Sequence, residues 1–342
     1  MSIVMTGGGT GGHLVIIKAV KEQIKSDTLV YIGSSIGQDK SWFGNDEQFM
    51  QKHFMQTRGV VNQGLFGKIK SLWLLAKATT GAYKILKEVN AKVVFCVGGF
   101  SAAPTSIAAI IARVPLVIHE QNAAVGSLNK ILRKYSSAFI SSYDENSPIK
   151  SYPIKNEFFE LSRARAGGVK TIFFAGGSQG AKAINSLALE LAPWLREQNI
   201  DIIHQAGEKN IEFVQKEYEK QNIKATVFGF TNDMAGVMSG ADFAIARSGA
   251  STLWELSANG LPALYIPYPY AASDHQYYNA QFLVKQDIAW IMREDEMDIN
   301  AIKNIILDKK EIKIRSQKLL KSIASDGSKK IASLLESYST KG

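Results

Sequence analysis

The chain has 342 residues, 46% of them hydrophobic and 21% charged, with a formal net charge of +9. That length exceeds one typical core and points to two domains of ~150 residues in an ordinary globular protein. The single cysteine, Cys96, excludes an intramolecular disulfide, so a reducing compartment is expected and the thiol reads as a buried structural group.

No basic segment followed by an apolar run opens the chain, so no secretory signal is expected. No stretch reaches the ~18 uninterrupted apolar residues of a membrane span. The nearest, Ile107–Ile118, is short and contains Arg113 and Pro115. Charge is uneven: residues 1–154 hold 17 Lys/Arg against 9 Asp/Glu, whereas 155–342 hold 23 against 22. An acidic partner should therefore meet the first half.

In chain order, Ile3–Met5 reads as a strand running into "TGGGTGGHL", residues 6–14, a glycine loop that opens a helix. Gly7, Gly9 and Gly12 match G-x-G-x-x-G, weak evidence for a dinucleotide when it stands alone. The next strand, Leu29–Ile32, runs into Gly33–Ser34–Ser35 without the acidic residue a ribose contact needs. On a helical wheel, segment 65–88 places Leu72, Leu75, Thr79, Ala82 and Leu86 on one face. Phe66, Lys70, Trp73, Lys77 and Lys84 gather on the other, a pattern suited to an anionic membrane surface.

Strands follow at Val93–Val97 and Leu116–Ile118, and the second leads into His119, Glu120, Gln121 and Asn122. Four polar residues at a strand's carboxyl end suit sugar binding or acid/base chemistry. After Ala138–Ser141, the proline-bearing "SYPIKNEFF", residues 151–159, reads as a linker, with a hinge near 151–156. The second half repeats the pattern with strands at Thr171–Ala175, Ile200–His204, Ala225–Gly229, Phe243–Ala246 and Ala263–Ile266. Its first strand ends in "GGSQG", whose backbone N–H groups and Ser178 hydroxyl suit a phosphate. "RSGA", residues 247–250, precedes a helix bearing Glu255, a carboxylate able to accept both hydroxyls of a ribose. Asp274, His275 and Gln276 follow the last strand, and Ser328–Tyr338 is an amphipathic helix.

Continuous apolar strands alternating with helices imply parallel sheets covered on both faces. The expectation is an α/β chain of two Rossmann-like domains, their sheets facing across a cleft. Residues 1–154 form the first, with 327–342 packing back onto it, and 155–326 form the second. No metal-ligand spacing such as H-E-x-x-H occurs, so no obligatory metal and no cofactor are expected. No RNA- or DNA-binding motif matches the basic excess, so nucleic acid is not an expected partner.

TGGGTGGH, HEQN…NK, GGSQGA, RSGA…E and HQYYNA, in this order across essentially the whole chain, resemble the MurG family of GT-B glycosyltransferases. The resemblance implies transfer of N-acetylglucosamine from UDP-N-acetylglucosamine to lipid I, with inversion, forming lipid II for peptidoglycan synthesis. It places the protein peripherally on the cytoplasmic face of the plasma membrane, where an anionic surface and other cell-wall synthesis proteins would be its partners. His13 and Glu120 become alternative catalytic bases. Thr10, Gly11 and Gly12, presented from the first domain, join Asn122, Lys155, Ser178, Phe230, Thr231, Ala250, Glu255 and Gln276 as donor-binding residues. Gly9, Gly98, Gly99 and Phe100 fall to the acceptor. Where the family commonly has proline, proline and arginine, this chain has Ile16, Val125 and Lys155. The rival readings are another glycolipid glycosyltransferase of this fold, a UDP-N-acetylglucosamine epimerase, a dinucleotide oxidoreductase and a noncatalytic nucleotide-sugar binder.

Overall fold

Short apolar runs become the strands of two parallel six-stranded sheets. The computed structural model describes residues 2–9, 11–25, 28–57, 65–177 and 179–340, without the side chains of 65–70, 339 and 340. The chain divides into two compact units, Met1–Ile154 with Asp326–Gly342, and Lys155–Ser325.

In the first unit the strands are β1 (Ser2–Thr6), β2 (Leu29–Ser34), β3 (Gln51–Met55), β4 (Ala91–Cys96), β5 (Leu116–Glu120) and β6 (Ala138–Ser141). Their order is β3-β2-β1-β4-β5-β6. β1 lies between β2 and β4, with Val4 facing Val30 on one side and Val94 on the other. All three valines are fully buried, as sheets covered on both faces require. Strand order reverses between β1 and β4, so the loops leaving these two strands open a crevice at their carboxyl ends.

The second unit repeats the plan with β7 (Thr171–Ala175), β8 (Asp201–Gln205), β9 (Ala225–Phe228), β10 (Phe243–Ala246), β11 (Ala263–Tyr265) and β12 (Trp290–Ile291). The order is β12-β11-β10-β7-β8-β9, with its reversal between β7 and β10. The helix Lys182–Glu197 buries Ile184, Leu187, Leu191 and Leu195 against this sheet. Each such side chain contributes about 1.5–3 kcal/mol when fully buried.

Two strands have no counterpart among the sequence expectations, β3 and β12, and both are sheet edges. Every residue of β3 is only half-buried, so its sequence, QKHFM, needs no continuous apolar run. The helical-wheel reading of 65–88 also needs one correction. In the helix Leu65–Glu88 the buried stripe is Ser71, Ala78, Ala82 and Leu86, while Leu72 is 55% exposed beside Trp73 at 62%. Leu72 therefore belongs to the outer face.

The segment expected as a linker is well packed: Tyr152, Ile154 and Phe158 are all buried. The helix Gly327–Thr340 returns to the first unit and packs on β1, β4 and the helix Gly11–Lys21. Its Ser328 hydroxyl donates to the Ile154 carbonyl at 3.1 Å. In the second unit, Arg165 is a buried guanidinium that donates to the carbonyls of Arg163, Met238, Ala241 and Asn259. Burial pushes its pKa down to about 9.

Candidate functional site

In the first unit the loops leaving β1 and β4 interlock. Gly9 has φ +83, and a Cβ there would come within 2.5 Å of the Phe100 ring. Gly99 has φ +82, and its Cβ would lie 2.4 Å from the Gly8 carbonyl oxygen. Only glycine fits both the left-handed backbone and the close approach. The Gly8 N–H donates to the Gly98 carbonyl at 3.3 Å. The Gly9 N–H donates to the Asp39 carboxylate at 2.7 Å, so it is already committed within the chain. The glycines at 9 and 99 are thus explained by packing between loops.

Beside these loops lies a cavity of about 450 Å³, a size suited to a small ligand. Its polar lining includes His13, Thr57, Glu120, Gln121, Asn122 and Asn129, and its apolar lining comes from Leu75, Phe100, Ala103, Pro104, Leu128 and Ile131. The helix start at Gly11 delivers His13, and β5 delivers Glu120.

Glu120 is buried, and its carboxylate accepts three N–H groups: Asn122 N at 3.0 Å, Gly126 N at 3.0 Å and Asn129 Nδ2 at 2.9 Å. An ionised carboxylate has about four acceptor positions, so this one is largely occupied in shaping the turn after β5. The Asn129 Oδ1 and Gln121 Oε1 atoms are buried acceptors with no partner among the described residues. Both residues line the cavity, where a ligand's hydroxyl or amide donors would complete them.

His119 differs from its neighbours. It is fully buried, and its ring packs edge-on to Tyr152 at 5.5 Å. Burial, with the nearby His13 ring adding to it, pushes its pKa down to about 3. His119 is therefore a neutral core ring that stands outside the cavity lining. The polar run 119–122 contributes three residues to the cavity rather than four.

In the second unit the loop after β7 is tied to the loop after β8. The Gly176 N–H donates to the Gln205 carbonyl at 3.2 Å, and a Cβ at Gly180 would lie 2.4 Å from the Ala206 carbonyl oxygen. A buried network supports this seam. His204 Nδ1 lies 2.9 Å from the Tyr218 hydroxyl, its Nε2 lies 3.0 Å from Asn185 Oδ1, and Asn185 Nδ2 donates to the Ala206 carbonyl at 3.1 Å. Burial pushes the His204 pKa down to about 4, so this ring too is neutral.

Ala250 opens the helix Ala250–Asn259, which carries Glu255. Burial raises the Glu255 carboxyl to about pKa 7, with Lys155 lowering it and Glu157 raising it. Lys155 itself pairs with Glu157 at 3.3 Å. Gln276 accepts the Tyr268 N–H at 3.0 Å, which fixes its side chain. Phe230 is 56% exposed, and Thr231 accepts the Asp233 N–H at 3.1 Å in a local turn.

The residues expected from sequence thus fall into two groups. His13, Glu120, Asn122, Gly98, Gly99 and Phe100 share one cavity in the first unit. Lys155 and Glu255 come together in the second, which also carries Phe230, Thr231, Ala250 and Gln276. Thr10 and Ser178 lie outside the described residues, as do the side chains of Phe66 and Lys70. Trp73, Lys77 and Lys84 are exposed on the helix Leu65–Glu88, with the Lys77 Nζ 5.3 Å from the Trp73 ring centroid. Asp39, Thr57 and Asn129 were not singled out from sequence. Asn129 sits inside the quoted HEQN…NK motif, and that was the available signal.

Comparison with known proteins closes the question of family. Residues 3–140 match the glycosyltransferase family 28 N-terminal domain, and residues 171–335 match its C-terminal domain. A UDP-N-acetylglucosamine–N-acetylmuramyl-(pentapeptide) pyrophosphoryl-undecaprenol N-acetylglucosamine transferase from Sulfurovum sp. (strain NBC37-1) is 63% identical, over 99% of each chain. A protein of the same description from Wolinella succinogenes is 51% identical, over 90% of this chain and 91% of its own. The crystal structure of MurG from Acinetobacter baumannii superposes with a TM-score of 0.82 at 25% identity, covering 98% of this chain and 99% of that one. With two parallel sheets of the GT-B plan and near full-length identity to these transferases, the chain belongs to the MurG family within glycosyltransferase family 28.

Proposed function

We propose that the chain transfers N-acetylglucosamine from UDP-N-acetylglucosamine to the C4 hydroxyl of the muramoyl-pentapeptide of lipid I, forming lipid II for peptidoglycan synthesis. The observation that carries this reading is the 63% identity, over 99% of the chain, to a transferase so described. The cavity beside His13 supports it, because an acceptor with a sugar, a diphosphate and a polyprenyl tail needs polar and apolar lining together.

In the proposed reaction the acceptor C4 oxygen attacks the donor's anomeric carbon from the face opposite the diphosphate. The new glycosidic bond forms as the bond to UDP breaks, and UDP leaves with that electron pair. The C4 proton passes to the imidazole of His13. The base is assigned to His13, which lines the cavity, and the Glu120 carboxylate, which accepts three N–H groups, to holding the turn after β5. Glu120 and Asn129 then shape the turn bearing Asn122.

The donor falls to the second unit. Glu255 accepts the ribose hydroxyls beside Lys155, Phe230 and Thr231 flank the uracil, and Gln276 with the backbone at Ala250 reads the sugar. The helix start at Ala250 favours charge developing on the leaving diphosphate. Residues 1–154 with the last helix form the acceptor domain, and the rest of the chain forms the donor domain.

Among the described residues no helix is long and apolar enough to cross a membrane. The exposed Leu72, Trp73, Lys77 and Lys84 would instead hold the protein peripherally on an anionic membrane, on the cytoplasmic face. Leu75, on the same helix, lines the cavity and would lead the acceptor's lipid inward.

The test is incubation with labelled UDP-N-acetylglucosamine, with and without a lipid I analogue, following sugar transfer and UDP release. The expected result is transfer that requires the acceptor. Conversion of the donor with no acceptor present would instead indicate an epimerase.

A further inference from the structure

The glycine loop that carries His13 is braced by a carboxylate that belongs to none of the recognised motifs. Asp39 lies five residues beyond Ser34, the last residue of β2, and is completely buried. Its Oδ2 accepts the Gly9 N–H at 2.7 Å. Its Oδ1 accepts the Ser34 N–H at 2.9 Å and faces the Tyr31 hydroxyl at 2.9 Å. That hydroxyl also lies 2.8 Å from the Gly7 carbonyl, so one phenol links the loop to the brace.

The neighbouring glycines are shaped around this carboxylate. A Cβ at Gly8 would lie 2.4 Å from Asp39 Oδ1, and one at Gly33 would lie 2.7 Å from it. The brace also reaches the cavity, because the Thr57 hydroxyl, at the cavity wall, donates to the Ser34 hydroxyl at 2.8 Å.

Glycine-loop N–H groups at the end of a strand are ordinarily an anion cradle. Here the Gly9 N–H is held by Asp39 and the Gly8 N–H by the Gly98 carbonyl. A phosphate at Gly8–Gly9 would find those donors engaged and a like charge behind them.

We propose that Asp39 is a positioning residue for the transfer: it holds the loop that delivers His13 and keeps phosphate groups away from Gly8–Gly9. The proposal rests on the transfer reaction stated above, and it explains why a G-x-G-x-x-G match here does not make a dinucleotide site.

The test is Asp39→Asn, which keeps the side chain's size. Whichever way the new amide turns, its NH₂ opposes an N–H of the loop or of Ser34, so loop and brace cannot both stay in place. Turnover and KM for the lipid I analogue, UDP-N-acetylglucosamine affinity and thermal midpoint are measured together. Val94→Ala, in the core of the same unit, serves as the destabilised control.

The expected result is a turnover loss of at least tenfold in Asp39→Asn with donor affinity within twofold of wild type, while Val94→Ala keeps its turnover. A turnover in Asp39→Asn within threefold of Val94→Ala overturns the proposal. If Asp39→Asn does not fold, amide exchange in the wild-type protein decides. The Gly9 N–H should exchange at least a hundredfold more slowly than an unprotected amide, and exchange at the unprotected rate refutes the brace. This readout needs no turnover, so failure of the transfer reaction itself would be seen separately.

Discussion

Asn129 donates its side-chain amide to the Glu120 carboxylate at 2.9 Å, across nine residues of chain. With the N–H groups of Asn122 and Gly126 on the same carboxylate, the turn after β5 is built around one buried charge. Glu120→Gln replaces an acceptor with a donor that opposes at least one of these N–H groups. A stability loss of about 1–3 kcal/mol is expected, read from the denaturant midpoint. Turnover falls as the turn loosens, but the acid limb of the turnover–pH profile survives because the proposed base is His13. Loss of that limb in Glu120→Gln would move the base assignment to Glu120.

His13→Ala should reduce turnover by about 10²–10⁴-fold, the usual value of a general base. UDP-N-acetylglucosamine affinity, measured by calorimetry, should stay within a few-fold of wild type because Lys155, Glu255 and Gln276, which carry most of the proposed donor contacts, lie in the other unit. Near-normal turnover in both His13→Ala and Glu120→Gln would leave neither as the base.

Two buried histidines should steepen the loss of stability in acid. His119 is held to a pKa of about 3 and His204 to about 4, against 6.5 for the ordinary side chain. Between these values the unfolded chain binds protons that the folded chain refuses, so stability is lost as pH falls from about 6.5 toward 4. His204→Gln should flatten this slope in unfolding measured from pH 7.5 to 4.5. An unchanged slope would mean that other groups govern acid unfolding.

Glu255 works with the opposite sign. Its folded-state pKa, about 7 against an ordinary 4.5, makes the folded chain bind the extra proton, so this group's contribution falls as pH rises through that window. Ribose hydroxyls donating to the carboxylate favour its charged form. UDP-N-acetylglucosamine binding at pH 6 should therefore release close to one proton, and affinity should tighten up to about pH 7 and then level. Calorimetry in buffers of different ionisation enthalpy measures the release. Glu255→Gln should abolish it, and a wild type that releases none would refute the assignment.

At the membrane, each lysine near an anionic surface contributes about 1 kcal/mol. Lys77→Ala with Lys84→Ala should weaken binding to anionic vesicles by roughly 30-fold, while activity on a short-chain soluble acceptor is kept. Equal wild-type binding to neutral and anionic vesicles would remove the electrostatic part of the proposal.

What was readable before the structure follows burial. Strands such as β1 and β10 are covered on both faces and appear as uninterrupted apolar runs. β3 is a half-buried edge strand whose sequence, QKHFM, holds no continuous apolar run, and β12 is only two residues long, Trp290–Ile291, too short to show a period. The helical wheel fixed the period of 65–88 but set its phase from hydrophobicity alone, so Leu72, an apolar residue on the outer face, was assigned inward. The polar run 119–122 was visible as a cluster. That His119 points into the core while its neighbours line a cavity depends on Tyr152, thirty-odd residues away in the chain. Asp39 carries no sequence signal of its own, because a ribose carboxylate stands directly at a strand's end, whereas Asp39 lies five residues beyond β2 and turns inward.

The return of Gly327–Thr340 to the first unit also bears on synthesis at the ribosome. Ile331, Ala332 and Leu335 of that helix are buried in a unit whose other residues end at Ile154. The whole of Lys155–Ser325 must be made before this covering helix exists, and contacts so distant along the chain close late. The later-encoded unit can therefore fold first, while the earlier one waits with an apolar seam uncovered. Nascent chains halted before residue 326 should for that reason engage chaperones through the first unit and not the second.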